Sequence, residues 1–524
     1  MKKRRNKQIL CGLVWFLIGV CGIFRLAEAA PLVLFVPLDD RPVCLADTLA
    51  TARAAGLEVH TPPQEWLSSR DHRGDPDKIW QWLKEEAPRA DAAVVSLDSL
   101  IYGGLVPSRT HELDESVLAL RRKQIEELKT LQPSLRLYAF STLMRSPKAS
   151  AGGVDASYYE VWGPDLFRLG ALTDKQESDG VTQAERAEIT RLSEKIPSAY
   201  LADWRQRRVK NLRNNLALWD MTQAGAIDYL LLGRDDAWMY SDSRRDLRWL
   251  LAQREGKPDL SRFATMAAAD QLGMLLMARA VNHFSGQIPF VAAVYGEGSG
   301  KNTVPSYQDE TAGANVAAQI WATGAFPVPE PERAELVLAV HTLADGKTKE
   351  ASSKENSATP SPAAAAMAGR IANWLAAGRT VAVADIAYAN GADNGFMTEM
   401  QRRHLLGRLA AYGGWNTASN SAGFALSQGM LAARMESVAQ RRLLLGRFLD
   451  DWAYQANVRQ QIIKQVLTPA SLSSVRLGER RAQVEAQTTA ALRFFAAQHF
   501  PDLKTPEFQA EHPWDRMFEV KIIW

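Results

Sequence analysis

Short, almost purely apolar runs separated by amphipathic stretches are the feature that most limits how this chain can fold. Eight such runs lie between residue 31 and about residue 420, and they are near-continuous rather than alternating in polarity. Such runs are typical of parallel strands that are covered on both faces. We therefore predict an α/β fold in which parallel strands alternate with helices. The predicted strands are 32–38, 57–61, 93–97, 135–142, 229–233, 290–295, 336–341 and 380–386, and the clearest helices are 115–131, 204–223, 264–284 and 363–377.

Two arrangements of these strand–helix units agree with the sequence. One is a closed (β/α)8 barrel, which we prefer, and the other is a pair of open doubly wound sheets hinged near residues 160–225. Residues 150–200 are predicted to be an insertion that caps one face, and the low-complexity stretch 345–366 a flexible surface loop. From residue 427 onward the pattern is helical. We therefore predict an α/β domain over residues 30–426 and a helical C-terminal region over 427–524.

The first 29 residues have the pattern of a cleavable secretory signal. A basic start, MKKRRNK, precedes an apolar run over residues 9–24, and Ala27 and Ala29 occupy the positions that a signal peptidase reads. The run is shorter than the roughly 20 residues that a bilayer span needs. We predict cleavage after about Ala29, export to the periplasm or the extracellular space, and no stable membrane span afterwards.

Removal of this segment changes what the composition implies. The segment holds six of the 62 Lys and Arg residues and one of the 59 Asp and Glu residues, so the mature chain has 56 basic and 58 acidic residues, a net charge of −2. Charge therefore gives no support to nucleic-acid binding. Two of the three cysteines are also removed, so Cys44 has no partner for a disulfide within the mature chain.

Acidic residues follow most of the predicted strands. The carboxyl ends of parallel strands lie on one face of an α/β fold, so these residues are expected to meet there. A carboxylate at such a place is costly unless it is paired, metal-bound or catalytic, although each one singly could also cap a helix or pair with an arginine. The residues concerned are Asp39, Asp40, Asp98, Asp235, Asp236, Glu297, Asp385 and Asp393. Together they predict a functional site.

Two other sequence patterns, a glycine-rich run and the histidines, do not have the spacing of a phosphate-binding loop or a zinc site. The run GEGSGK at residues 296–301 is not a Walker phosphate loop, which would need Gly at Tyr295 and Ser or Thr at Asn302. The histidines include no pair at i and i+4, which disfavours a zinc site. No cofactor is therefore predicted, and an oxygen-ligand site for Mg²⁺ or Ca²⁺ is kept as an alternative.

Eight separated motifs carry a family resemblance. They are LFVPLDDRPV (34–43), SLDSLIYGGLVPSR (96–109), GRDDA (233–237), YGEGS (295–299), ANGADN (389–394), YGGWNTASN (412–420), RFLDDWAYQ (447–455) and PWDRMFE (513–519). Over nearly all of the mature chain they resemble the bacterial family DUF4127, a domain of unknown function. The resemblance implies no established activity. One departure is the run Ala268-Ala269-Asp270-Gln271, where a Gly-Ala-Asp-Glu-like run is expected.

A partial resemblance to secreted hexosaminidases concerns a shorter pattern. Those enzymes are (β/α)8 barrels with two adjacent acids at a strand end and a Trp-Asn pair on a later strand. By this resemblance Asp235-Asp236 and Trp415-Asn416 would have those roles.

The leading functional hypothesis is an exported glycoside hydrolase that acts on an envelope or extracellular saccharide. Asp236 is predicted to be the general acid and Asp235 the carboxylate that orients a substrate-assisted attack. The substrate-binding residues are predicted to be Asp39, Asp40, Arg41, Asp98, Tyr102, Arg109, Arg145, Tyr295, Glu297, Asn390, Asp393, Asn394, Trp415 and Asn416.

Two alternatives belong to other functional classes. The first is a metal-assisted hydrolase with Asp39, Asp40, Asp98, Asp235 and Glu297 as oxygen ligands. The second is a non-catalytic binding protein of two lobes that close over a polar ligand, gripped by arginines. Those arginines are Arg41, Arg109, Arg145 and Arg234. The sequence does not determine the oligomeric state.

Overall fold

The framework of the protein is a pair of open parallel sheets. The computed structural model describes residues 30–150, 152–253, 259 and 261–524, and Leu32–Trp524 form one compact unit. The predicted export signal, residues 1–29, lies outside the described residues. The first strands are β1 Leu32–Val36, β2 Glu58–His60, β3 Ala92–Ser96, β4 Arg136–Leu143, β5 Tyr229–Arg234 and β6 Phe263–Ala267. Within the described residues they form one parallel sheet in the order β2-β1-β3-β4-β5-β6.

A second parallel sheet is built from later strands. The strands that follow are β7 Phe290–Tyr295, β8 Phe326–Pro327, β9 Leu336–His341, β10 Lys349–Glu350, β11 Val381–Asp385, β12 Tyr388–Ala389, β13 Ala411–Gly413, β14 Gln509–Glu511 and β15 Lys521–Ile523. The second sheet has the order β13-β11-β9-β7-β8. The strands β10 and β12 pair with each other, and β14 and β15 form an antiparallel hairpin.

Both sheets repeat the same strand order. Each places its first strand between its second and its third, with β1 between β2 and β3 and β7 between β8 and β9. The connections therefore change direction once in each sheet. In open α/β sheets that change creates a crevice at the carboxyl ends of the strands, where ligands bind.

Two buried helices join the sheets into one core. The helices Leu272–Ser285 and Ala418–Leu431 are buried along almost their whole lengths. The first packs on Phe35 and Phe140 of the first sheet, and the second approaches β9 and β11 so closely that a Cβ at Gly429 would lie 2.5 Å from that of Ala382. Both helices are rich in apolar and small residues and contact each other, and they occupy the space between the sheets.

The remaining helices cover the outer faces of the sheets and build the C-terminal region. None of the described helices combines the length and apolar character that crossing a bilayer requires. The other helices are Ala46–Ala54, Pro76–Glu86, Leu97–Ile101, Leu105–Thr110, Glu115–Leu131, Tyr159–Ser178, Gln183–Lys195, Ser198–Gln223, Asp242–Ala252, Ala312–Ala322, Pro362–Ala376, Asn394–Arg402, Ser437–Arg447, Arg459–Ile462 and Arg481–His499, with a π-helical stretch at Phe448–Val458.

The predicted class is confirmed, but the preferred closure is wrong. The fold is α/β with parallel strands and helices, and no hydrogen-bonded ladder closes the described strands into a barrel. The helix Leu272–Ser285 explains the difference, because a barrel helix would lie outside with a polar face, whereas this one is buried between two sheets. The predicted hinge at residues 160–225 is also wrong, since the chain passes from the first sheet to the second between Ala267 and Phe290.

Three strands of the sheets were not predicted. The strand β6 lies at the start of the predicted helix 264–284, because a short apolar run has no periodicity that separates strand from helix. The edge strands β8 and β13 span only two and three residues.

The stretch 345–366 is predicted to be a flexible surface loop. In the structure it contains the paired strand β10 and two buried residues, Ala351 and Asn356.

Candidate functional site

A small cavity lies where the carboxyl ends of the two sheets meet. Its volume is about 270 Å³, and loops that follow β1, β3, β4, β5, β6, β7, β12 and β13 all contribute to its wall. Larger depressions of about 690 and 600 Å³ are lined by helices and surface loops away from the strand ends. The cavity is lined by Arg41, Leu105, Val106, Arg109, Arg145, Ala149, Ser150, Val154, Asp235, Asp236, Asp270, Tyr307, Asn390, Asn416, Trp514, Arg516 and Phe518.

Two adjacent carboxylates occupy one side of the wall, each held by a different arginine. Asp235, directly after β5, accepts a hydrogen bond from Nη2 of Arg109. Asp236 accepts one from Nη1 of Arg145 at 2.8 Å. Behind the two arginines, the buried carboxylate of Asp155 accepts from Nε and Nη2 of Arg145 at 3.1 and 2.5 Å. The acids are thus neighbours in the chain but have separate cationic partners.

A second ion-pair group occupies another part of the wall. Arg41, after β1, donates to Asp39 at 2.7 Å and to Asp270, after β6, at 2.6 Å. The side-chain nitrogens of Asn416 and Asn420 donate to the second oxygen of Asp270 at 3.3 and 3.4 Å. The loops of β1, β6 and β13 are therefore tied to one another through a single buried carboxylate.

The two groups give the cavity acids altered proton affinities. Burial, and then the charge of Asp235, raise the pKa of Asp236 to about 6. Burial likewise raises the pKa of Asp270, although Arg41 opposes the shift. For Asp155, burial acts against ionisation, but Arg145 and Arg109 outweigh it and lower its pKa. One wall of the cavity thus holds a carboxyl that can give up a proton in mildly acidic solution.

The backbone around the cavity is strained. Five lining residues that are not glycine have left-handed φ angles, which are sterically unfavourable for most side chains and less so for Asn and Asp. They are Asp236 at 42°, Tyr307 at 64°, Asn390 at 59°, Asn416 at 58° and Trp514 at 59°. Strained residues of this kind concentrate at functional sites, so their grouping here favours this cavity over the larger depressions.

A segment from the end of the chain closes one side of the cavity. The strap, residues 513–519, adds Trp514, Arg516 and Phe518 to the wall. The Trp514 ring lies beside the guanidiniums of Arg41 and Arg516, at 5.0 and 4.7 Å from its centre, and its Nε1 donates to Asp40 at 2.7 Å. The strap therefore connects the C-terminal region to the loop after β1.

Replacing Trp514 with Phe tests this connection. The variant keeps an aromatic ring but removes the donor to Asp40, a carboxyl whose pKa burial already raises. We expect the free energy of unfolding to fall by about 1 kcal/mol, measured by urea denaturation. The control is Trp249→Phe, whose side chain is 41% exposed. An equally small effect in both variants would contradict a role for the hydrogen bond.

Most of the predicted site residues that follow strands of the first sheet lie at or directly behind the cavity. Two that follow β12 and β13 also line it. The predicted residues that line it are Arg41, Arg109, Arg145, Asp235, Asp236, Asn390 and Asn416. Asp39 supports Arg41 from behind, and Asp40 holds the strap. Asp98 is fully buried and accepts two hydrogen bonds from Thr142 at the end of β4, and burial raises its pKa to about 7.

The other predicted residues lie elsewhere. Tyr102 is buried and stacks on His111, and Trp415 is buried against Phe518 and so supports the wall from behind. Glu297 is exposed after β7, and Tyr295 is half-buried at the end of that strand without lining the cavity. The remaining four have partners outside the wall: His341 for Asp393, Trp452 for Asn394, Asp309 for Arg234 and Tyr412 for Asp385.

The acids do not form a recognisable metal site. In the part of the chain that the structure describes, no three His, Cys, Asp or Glu side chains are grouped as metal ligands would be. The acids proposed as metal ligands have other partners instead, such as Arg109 for Asp235 and Thr142 for Asp98. This geometry gives the metal-assisted alternative no support.

The family model described as "Protein of unknown function (DUF4127)" matches residues 33–523. The chain belongs to the DUF4127 family. The match includes both sheets, the cavity and the strap, so the whole site lies within the DUF4127 domain. No curated protein and no solved structure matched the chain.

Sequence reasoning missed several residues of this DUF4127 site. Asp270 follows β6, which lies within the predicted helix 264–284, so the sequence does not predict Asp270 at a strand end. Asp155 lies in the 150–200 insertion and Tyr307 in a long loop after β7. Trp514 and Arg516 belong to the PWDRMFE motif, and this motif was the available signal for the strap.

Proposed function

We propose that this protein is an exported glycoside hydrolase whose catalytic residues are Asp236, the general acid, and Asp235, which orients a substrate-assisted attack. The observation that supports the proposal is the pair itself: two neighbouring carboxylates in a cavity wall, bound to different arginines. Glycoside cleavage needs one carboxyl that keeps its proton and a second group that stabilises the charge developing on the sugar. Neighbouring carboxylates with separate environments supply two such states.

In the proposed reaction Asp236 donates its proton to the departing glycosidic oxygen as the bond to the sugar carbon breaks. Asp235, paired with Arg109, orients a substituent of the sugar, whose oxygen bonds to the same carbon from the other side. Water then attacks this carbon and breaks its bond to the substituent, and Asp236 takes the proton back from the water. Protons are balanced over the cycle, and the reaction consumes one water for each bond cleaved.

The size of the cavity points to a small substrate unit. Its volume of about 270 Å³ is slightly below the range of roughly 300–1,000 Å³ that is usual for ligand sites. The strap and the loops after β12 and β13 contribute Trp514, Asn390 and Asn416 to its wall. We infer that a single terminal sugar enters, and that the rest of the saccharide stays outside.

A panel of chromogenic monosaccharide glycosides, including N-acetylated amino sugars, tests this function. We expect at least one of them to be hydrolysed, at a rate that falls as the pH rises above about 6, because Asp236 loses its proton there. The assay should run from pH 4 to 8. A wild-type protein that is inactive on the whole panel over this range would refute the proposal.

The two-sheet architecture favours a second candidate, a non-catalytic binding protein. Its supporting observation is that loops from both sheets, each with its own reversal of strand order, meet at one cavity lined by Arg41, Arg109 and Arg145. Isothermal titration calorimetry with free monosaccharides separates the two candidates. Micromolar binding without turnover of the corresponding glycoside supports the binding protein, and any turnover refutes it.

Export has its own test. We expect the protein purified from the periplasm or the culture medium to begin at about Ala30, because the signal peptidase site precedes it. Intact-mass spectrometry measures this directly. A full-length chain that stays with the cytoplasmic fraction would contradict export without affecting the enzymatic proposal.

A further inference from the structure

Five charged side chains beside the cavity form a ring of alternating ion pairs. Asp235 pairs with Arg109, and Asp236 pairs with Arg145. Asp155 connects the two arginines, at 2.5 Å from Nη2 of Arg145 and 4.0 Å from Nη1 of Arg109. Because Asp235 and Asp236 are adjacent in sequence, the contacts of Asp155 with both arginines close the ring.

We propose that Asp155 is a positioning residue that, from behind the cavity wall, holds Arg109 and Arg145 in place against the Asp235–Asp236 pair. The inference deepens the proposed function and rests on it for the catalytic role of Asp236. The placement of the side chains supports it. The side chain of Asp155 is only 3% exposed, against 17% for Asp235 and 23% for Asp236. Asp155 therefore lies too deep to touch a ligand and acts through the arginines.

Three described residues just before Asp155 in the sequence also make hydrogen bonds. Ser150 donates a hydrogen bond to the Asp155 carboxylate, and Arg109 donates to the carbonyl oxygen of Val154 at 3.2 Å. Arg70 donates to the carbonyl oxygen of Gly152 at 3.1 Å. A carboxylate held on so many sides is pre-organised, which is the property that a residue positioning other charged groups needs.

The ring also sets the charge around Asp236. The groups that face it are Asp235 on its own loop, Arg109, Arg145 and Asp155 from the loops after β3 and β4, and Tyr307 from the loop after β7. Asp155 disfavours ionisation of Asp236 by its own negative charge and by sharing Arg145. Its removal leaves Arg145 to Asp236 alone. Loss of Asp155 should therefore lower the pKa of Asp236.

Asp155→Asn tests whether Asp155 acts on Asp236 through its charge and its share of Arg145, with Asp174→Asn as the matched control. The positioning itself is tested by Asp155→Glu, described below. Asp174 is also a fully buried carboxylate that bridges two arginines, Arg244 at 3.1 Å and Arg248 at 2.5 Å, but it does not line or support the cavity. We expect Asp155→Asn to move the titration of Asp236 to lower pH by on the order of one unit and Asp174→Asn to leave it unchanged. Carbon-13 NMR of labelled aspartate measures this titration without any substrate.

The same variants separate this inference from the proposed function. If the wild type hydrolyses glycosides, the fall of its rate with pH should shift to lower pH in Asp155→Asn alone. If no glycoside is cleaved, the NMR titration still decides the role of Asp155. An unmoved titration of Asp236 in a folded Asp155→Asn protein overturns the inference and leaves the hydrolase proposal intact.

A conservative variant covers the case in which Asp155→Asn does not fold. Asp155→Glu keeps the charge but displaces it by one methylene, so the arginines shift relative to the acid pair. We expect kcat to fall at least tenfold with KM nearly unchanged, because misplaced charges act on the transition state. An unchanged kcat in this variant overturns the positioning role.

Discussion

Asp236→Asn is expected to reduce the rate of glycoside hydrolysis by roughly 10²–10⁴-fold, the usual contribution of a general acid. Asparagine cannot donate a comparable proton, but it tolerates the left-handed backbone at this position, where φ is 42°. Its amide oxygen can still accept from Arg145. The fold should therefore survive, and the loss should appear in kcat on the best substrate of the glycoside panel.

The control for this variant is Asp246→Asn. Asp246 is likewise a carboxyl whose pKa burial raises to about 6, and it pairs with Arg208 at 2.5 Å. It lies outside the cavity wall, so its replacement should leave the rate within about twofold of the wild type. Full activity of Asp236→Asn, or equal losses in both variants, would remove Asp236 from the catalytic role.

Arg447→Met is expected to give the largest loss of stability, roughly 3–5 kcal/mol at pH 8, because it leaves buried carboxylates without their cation. The buried guanidinium of Arg447 lies 3.0 Å from Asp47, 3.1 Å from Asp450 and 3.3 Å from Asp451. One arginine cannot neutralise three carboxylates. Burial therefore raises the pKa of Asp450 to about 6 and that of Asp451 to about 8.

The sign of the pH dependence follows from these raised values. A carboxyl whose pKa is higher in the folded state than in the unfolded chain, where it is about 3.9, favours folding while protonated. That contribution is complete below about pH 4 and is lost as the pH rises through 6 and then 8. Wild-type stability from this cluster should fall over that window, and Arg447→Met should be much less destabilised at pH 5 than at pH 8.

Urea denaturation at pH 5 and pH 8 measures both effects. The control is Arg402→Met. The Arg402 side chain pairs with Glu399 but is itself 66% exposed. We expect that variant to change the free energy of unfolding by less than about 1 kcal/mol at either pH. A loss in Arg447→Met that is the same at both pH values would show that the three carboxyls do not depend on this arginine.

Much of the site could be predicted because strand ends are visible in the sequence. Asp39, Asp98, Asp235 and Asp236 directly follow apolar runs, and the rule that parallel strands end on one face brings them together. They lie in or directly behind one wall, as that rule predicts. The same rule failed for Glu297, Asp393 and Asn394, because it names the face on which a residue lies and not the direction of its side chain.

The sequence by itself determined the α/β class, the membership of the DUF4127 family and the acids at the ends of the first sheet's strands. Each of these depends on local patterns, namely apolar runs, turn residues and short sequence motifs, which are present in the chain before it folds. Only the tertiary structure decided the division into two sheets, the ring closed by Asp155, the ion pair of Asp270 with Arg41 and the position of the strap. The physical reason is that an apolar run is buried equally well in a barrel or an open sheet, so the choice depends on packing between distant segments, such as the helix Leu272–Ser285 between the two sheets.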